Sequence, residues 1–182
     1  LVQADVGYAI SVTASYIDGQ GTAESVSSTE TSTVANINDL PTGSLTISGT
    51  ATQGQTLTAE NTLADPDGLG TISYQWERGD SPISGATSST YALVQADVGS
   101  TISVTASYTD EGGTAESVNS SATSAVANIN DLPTGSLTIS GTTTQGQTLT
   151  AENTLADADG LGTLSYQWER GDSPISGATS ST

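Results

Sequence analysis

The chain contains no cysteine, histidine, methionine, phenylalanine or lysine, and its only basic side chains are Arg78 and Arg170. Each absence closes a route. Without cysteine there is no disulfide, no thiolate nucleophile and no thiolate metal site. Without histidine there is no imidazole base and no histidine-ligated zinc, and without lysine there is no Schiff base. Most familiar enzyme chemistry is thereby removed, and the chain is read as a non-enzyme. Twenty acidic residues against two basic ones give a net charge of −18 over 182 residues. Such a chain repels the phosphates of nucleic acids and anionic membrane surfaces. No run approaches the roughly 20 apolar residues of a transmembrane helix, so direct membrane insertion is not expected. The opening Leu1-Val-Gln-Ala-Asp5 lacks the basic-then-apolar layout of a signal peptide, and any targeting signal is expected outside this segment.

Apolar residues are scarce as well. Leu, Ile and Val total 33 of 182, under the roughly 20% line that, with high net charge, marks unfolded chains. Their arrangement points the other way. Residues 1–90 align with residues 93–182 without a gap and differ at 12 positions. The 92-residue period is too long for a solenoid unit and suits one small domain per repeat. The best linker is Asn36-Ile-Asn-Asp-Leu-Pro-Thr-Gly43, repeated as Asn128 to Gly135, because it gathers turn formers and a proline that interrupts a central strand. On that division residues 38–129 are one complete repeat, residues 1–37 the back of a preceding one, and residues 130–182 the front of a following one. Thr182 corresponds to Thr90, and only Tyr91 and Ala92 separate Thr90 from Leu93, the counterpart of Leu1. The segment is therefore expected to be a window on a longer repetitive polymer. The alternative is a pair of ends placed without regard to domain limits.

Within the complete repeat, apolar residues alternate with Ser, Thr and Gln at period two, the pattern of strands with one buried face. Leu45 and Ile47, then Leu57 and Ala59, then Ile72, Tyr74 and Trp76 share faces. Ile102, Val104, Ala106 and Tyr108 form the cleanest run. Short strands between Gly, Asp and Pro turns, with no helical period, predict an all-β sandwich.

Trp76, the following Arg-Gly-Asp-Ser-Pro-Ile-Ser-Gly, and then Tyr91-Ala-Leu93 and Ala96-Asp97-Val-Gly99 resemble the middle of an immunoglobulin-like domain. In that pattern a buried tryptophan on strand C is followed by a Leu-x-x-Ala-Asp-x-Gly turn into strand F. Ala59 and Val104 fall near the places of the usual cysteines, so the core is expected to hold by packing alone. The Asn-Asp-Leu-Pro-Thr-Gly linker and Tyr108-Thr-Asp-Glu-Gly-Gly-Thr-Ala-Glu-Ser117 are similar to tandem Ig-like or cadherin-like repeats of giant secreted bacterial surface proteins, the RTX-type adhesins. The resemblance implies tandem Ig-like sandwiches without disulfides and an extracellular place on a bacterial cell surface.

Asp65-Pro-Asp-Gly68 and its partner Asp157-Ala-Asp-Gly160 carry two carboxylates two residues apart on a glycine turn, a spacing that reaches one hard cation. Aspartate and glycine are also ordinary turn residues. In the topology the resemblance implies, the B–C loop brings Asp65 and Asp67, the F–G loop Asp110 and Glu111, and the entering linker Asn38 and Asp39 to one pole. At the opposite pole Asp80 and Asp97 face the next joint, where Asn130, Asp131, Asp157 and Asp159 arrive. Carboxylates this dense repel one another, and a divalent cation relieves that repulsion. Calcium is the expected ion, since it accepts about six to eight oxygens in flexible geometry. Glu111, which is Gly19 in the other copy, is read as peripheral.

Arg78 is expected to pair with Glu77, Asp80 or Asp97, and Arg78-Gly-Asp80 is read as a turn rather than an adhesion tripeptide. Trp76 and Tyr74 share an inward parity and are assigned to the core rather than to a sugar platform. Two functions remain. One is a structural repeat of a fibre or adhesin stalk, with neighbouring copies of the repeat as its partners. The other is a module binding carbohydrate or a surface protein, which needs an exposed aromatic cluster. The 12 differences group at positions 17–20 and 27–33 and build no such cluster. Threonine- and valine-rich edges without lysine permit lateral strand contacts, whereas the charge opposes them.

Overall fold

In the computed structural model, which describes all 182 residues, every regular element is a β-strand apart from two short 3₁₀ turns, Gln3–Asp5 and Gln95–Asp97. The chain is all-β, and its sheets are antiparallel. Residues 1–37 hold one hairpin, β1 (Thr13–Ile17) with β2 (Ala23–Ser27). Residues 38–129 hold two sheets. One joins β3 (Leu45–Ser48), β4 (Thr56–Asn61) and β7 (Thr90–Ala92). The other runs in the order β6 (Ser81–Pro82), β5 (Ser73–Arg78), β8 (Ile102–Thr109), β9 (Ala115–Asn119). Residues 130–182 hold two separate pairs, β10 (Leu137–Gly141) with β11 (Leu149–Asn153), and β12 (Glu169–Arg170) with β13 (Ser173–Pro174).

The period-two pattern explains how the two central sheets find each other. Along β8, Ile102, Val104 and Ala106 are wholly buried, Tyr108 nearly so, and the intervening Ser103, Thr105 and Ser107 lie on the outer face. Leu45, Leu57 and Ala59 of the three-stranded sheet join Trp76, Ile102, Val104 and Ala106 of the four-stranded sheet in one apolar cluster. Burial of a side chain such as Leu57 or Ile102 stabilises by about 1.5–3 kcal/mol. Ala59 and Val104 pack in this cluster without any cross-link, since the chain has no cysteine. Trp76 stacks on Tyr91 with ring centroids 5.8 Å apart, and its indole N–H donates to the Ser88 carbonyl at 2.8 Å. The indole thus buries its apolar body without orphaning its one donor.

The linker turns onto the first strand at Gly43. Its φ is +89°, a region that disfavours residues with a Cβ, and an added Cβ would stand 2.2 Å from the Thr62 carbonyl oxygen. Thr42 then bridges Ala64, which ties the linker to the loop carrying Asp65 and Asp67.

All 14 buried residues lie between Leu45 and Val126. The flanking stretches carry nearly the same sequence, yet they bury no residue fully. Ser165-Tyr-Gln-Trp168 repeats the first four residues of β5 but forms no strand. In the complete unit β5 is held by six registered pairs with β8, from Ser73 opposite Ser107 to Arg78 opposite Ile102. The counterpart of β8 is far away in sequence, at residues 10–17, and does not pair with 165–170.

Candidate functional sites at the joints

The carboxylates of Asp65-Pro-Asp-Gly68 sit on a turn that closes on itself. The Asp67 amide donates to Asp65 Oδ1 at 2.9 Å, and the Gly68 amide donates to the Asp65 carbonyl. This leaves the Asp67 carboxylate facing the incoming chain. Its Oδ2 accepts the backbone N–H of Asp39 at 2.6 Å, and its Oδ1 accepts the side-chain amide of Gln3, from the first 3₁₀ turn, at 2.7 Å. The same Gln3 amide reaches Asn36 Oδ1 at 3.3 Å. One buried carboxylate therefore holds both the linker and the end of the preceding stretch.

The second joint brings the equivalent residues together, with the asparagine now donating to the carboxylate instead of accepting from the glutamine. Asp159 Oδ2 accepts the Asp131 N–H at 2.7 Å, and Asp159 Oδ1 accepts the amides of Asn128 at 2.9 Å and Gln95 at 3.3 Å. The Asp131 N–H, then the Asn128 amide and the Gln95 amide, hold the Asp159 carboxyl below its ordinary pKa. Gln53 adds a further clasp, donating to Asp131 Oδ2 at 2.8 Å and accepting the Ile129 N–H. A carboxylate that accepts two or three N–H donors in fixed directions is a charge-assisted anchor for the backbone that supplies them.

The loops named from the sequence do gather at the first joint. The Tyr108 hydroxyl donates to Asp65 Oδ2 at 2.7 Å; burial, that bond, and the nearby Glu116 and Asp110 charges raise the phenol above its usual range. Asn38 donates to Glu116 Oε1 at 2.9 Å, and Glu111 lies against Gly68. Asp110 is buried and accepts the Thr114 N–H on Oδ1 at 2.7 Å, closing the loop between β8 and β9. Its Oδ2 is buried with no partner. At the second joint Asn130 contacts only the adjoining Asp131 carbonyl, and Asp157 accepts the Asp159 N–H.

Asp97, read from the sequence as a ligand at the second joint, is engaged elsewhere. It is wholly buried, 2.6 Å from the Arg78 guanidinium. It also accepts the Tyr91 hydroxyl at 3.0 Å and the Val94 N–H at 2.7 Å. Of the three acids considered for Arg78, this is the one it meets, because β5 and the second 3₁₀ turn bring the two side chains together under Tyr91. Asp80 remains exposed on a turn with φ +62°.

The first joint offers calcium the right donor chemistry, oxygen throughout, with Asp110 Oδ2 free to accept a cation. No three acidic side chains converge closely enough to form a ligand shell, and the joint is held together by amide-to-carboxylate bonds. Gln3, Asn36, Gln53, Gln95 and Asn128 are the joint residues that sequence reasoning passed over. The one signal for them is that Gln-Ala-Asp, Ala-Asn-Ile-Asn-Asp and Thr-Gln-Gly-Gln recur unchanged in both copies. No helix is long and apolar enough to cross a membrane. No protein-family model matches the chain, and neither a curated protein nor a solved structure is significantly similar to it.

Proposed function

We propose that this chain is part of an extracellular fibre or adhesin stalk of tandem Ig-like sandwiches, in which ordered joints convert a row of small domains into a spacer. The observation that carries the reading is the recurrence of one hydrogen-bonded hub, Gln3–Asn36–Asp39–Asp67 and Gln95–Asn128–Asp131–Asp159, at both joints. A flexible linker needs no carboxylate that takes the linker N–H and the glutamine amide in both copies, whereas a spacer works only if each unit is aimed by the one before it. The central pair of facing sheets, with Trp76 beneath Tyr91, supports the Ig-like assignment of residues 38–129.

The absence of cysteine and the charge of −18 suit export of an unfolded chain and folding outside the cell. Calcium belongs to this proposal as an additional ligand of the first joint, entering at the unpartnered Asp110 Oδ2 and neutralising the carboxylate charge there. Electron micrographs of the native material, with calcium and after chelation, test the reading. Long, evenly beaded fibres support it, and discrete compact particles would sink it. Beading that survives chelation unchanged, together with an unaltered melting temperature, would remove calcium and leave the spacer standing on its hydrogen-bonded joints.

A further inference from the structure

The four-stranded sheet ends on β9, which pairs with β8 on one side and with no strand on the other. A free edge of this kind offers its backbone groups to any strand that arrives. The two copies finish that edge differently. Residues 27–30 read Ser-Ser-Thr-Glu, whereas the equivalent residues 119–122 read Asn-Ser-Ser-Ala. One copy thus ends the edge with the exposed carboxylate of Glu30, and the other has Ala122 in its place. What the second copy has instead is Asn119-Ser-Ser121, the asparagine and hydroxyl spacing to which N-linked sugar is joined. The other six asparagines have asparagine or leucine two residues on, so none of them carries it.

The local geometry leaves this asparagine open at the reacting atom. Asn119 is the last residue of β9 and is exposed. Its Oδ1 accepts the Thr105 hydroxyl at 2.9 Å, while its Nδ2 has no acceptor in the protein. Beyond it the chain leaves the ladder. The hydroxyl oxygens of Ser120 and Thr123 take the N–H groups of Val104 and Ile102, at 3.0 and 3.1 Å, and Ser121 and Ala122 stand exposed between these two anchors. The first copy has the same anchors in Ser28 and Thr31, and there the Ser27 hydroxyl meets Thr13 where Asn119 meets Thr105. The edge is therefore built alike in both copies, and the free amide nitrogen is what distinguishes the second.

We propose that Asn119 is a glycosylation site, accepting a sugar from a donor that carries it on a diphosphate. Nδ2 forms a bond to the anomeric carbon, the bond from that carbon to the diphosphate oxygen breaks, and the diphosphate leaves with the electron pair. One Nδ2 proton passes to a base of the transferase, and nothing is oxidised or reduced. The product is still an amide whose Oδ1 can accept from Thr105, so the pairing of β8 with β9 survives the addition. A bulky hydrated group at this point stands beside the bare edge and hinders strand addition there, as the Glu30 charge does in the other copy.

Mass spectrometry of the native material tests the proposal. Cleavage after glutamate releases residues 117–152, which hold Asn119 together with Asn128 and Asn130 as internal controls. Sugar mass is expected on Asn119 and on neither control. One or a few sugar units would identify a nucleotide-linked donor and a preassembled oligosaccharide a lipid-linked one; both support the site. Produced in the same cells, Asn119→Gln and Ser121→Ala chains should lose the added mass completely, and Ser121→Thr should keep it. Both positions are exposed, so the melting of the complete unit should not move in any of the three. An unmodified Asn119 in the native material, or modification that survives Ser121→Ala, would overturn the proposal. The site rests on the extracellular reading only in that it needs a chain met by a transferase during export, and unmodified chains in evenly beaded fibres would remove the site and leave the spacer standing.

Discussion

Residues 102–109 and residues 10–17 differ at a single position, Thr109 against Ile17, yet they occupy different structures. The first is an eight-residue strand with Ile102, Val104 and Ala106 fully buried; the second is strand only from Thr13, with Val12 and Tyr16 largely exposed. The local preferences of the two are the same, so the difference comes from β5, which one has beside it and the other lacks. Strand propensity in this chain is a preference for a half-buried surface that a partner must complete. The same holds for Trp76 against Trp168 and for Asp97 against Asp5. Residues whose chemistry is identical have energetic weight only where the second sheet is present.

That contrast can be broken by paired substitutions. Asp97→Ala should destabilise the complete unit by about 3–5 kcal/mol, because it removes the buried acceptor shared by Arg78, the Tyr91 hydroxyl and the Val94 N–H. Asp5→Ala should leave the denaturant midpoint of that unit unchanged. Trp76→Ala should cost a similar ~3–5 kcal/mol, and Trp168→Ala should not move hydrogen exchange of the β8 amides. If either flanking substitution proves as costly as its central counterpart, the flanking stretches are supported by contacts other than those described.

The joints sharpen the comparison at smaller energies. Asp67→Ala removes a buried acceptor of two N–H donors and should loosen the first joint by about 1.5–3 kcal/mol, read as lost order between spin labels on either side. Asp159→Ala, at an exposed carboxylate, should have a smaller effect on the second. Acid provides the mildest perturbation. The folded-state pKa of Asp159 is depressed, so its contribution is complete above the ordinary carboxylate range and lost as pH falls through the folded value. Titration downward should leave the second joint intact near neutrality and loosen it only below the ordinary carboxylate range. Loosening at higher pH would contradict the assignment.

Much of the core was legible because its signal is periodic. Leu45, Leu57, Ala59, Trp76 and the Ile102–Tyr108 run all face inward as their alternation predicts. The approach of the linker and of the β8–β9 loop to the turn carrying Asp65 and Asp67 was also readable, since strand order places all three at one end. The partners of those carboxylates were not. Gln3 and Gln95 sit in 3₁₀ turns without any period, and an amide side chain gives no sign in sequence of where its donor points. Asp97 was misplaced for a related reason: a charged residue in a polar turn reads as surface, and only the tertiary approach of Arg78 and Tyr91 makes its full burial tolerable.

The central claim is that each joint holds successive units in one orientation through its carboxylate hub. Double electron–electron resonance between labels on residues 1–37 and 38–129 of the otherwise cysteine-free chain measures that orientation most directly. A single narrow distance distribution in the wild-type chain, broadened in Asp67→Ala and Gln3→Ala, is the predicted result. A broad distribution in wild type, unchanged by either substitution, would show a loosely strung chain and contradict the account.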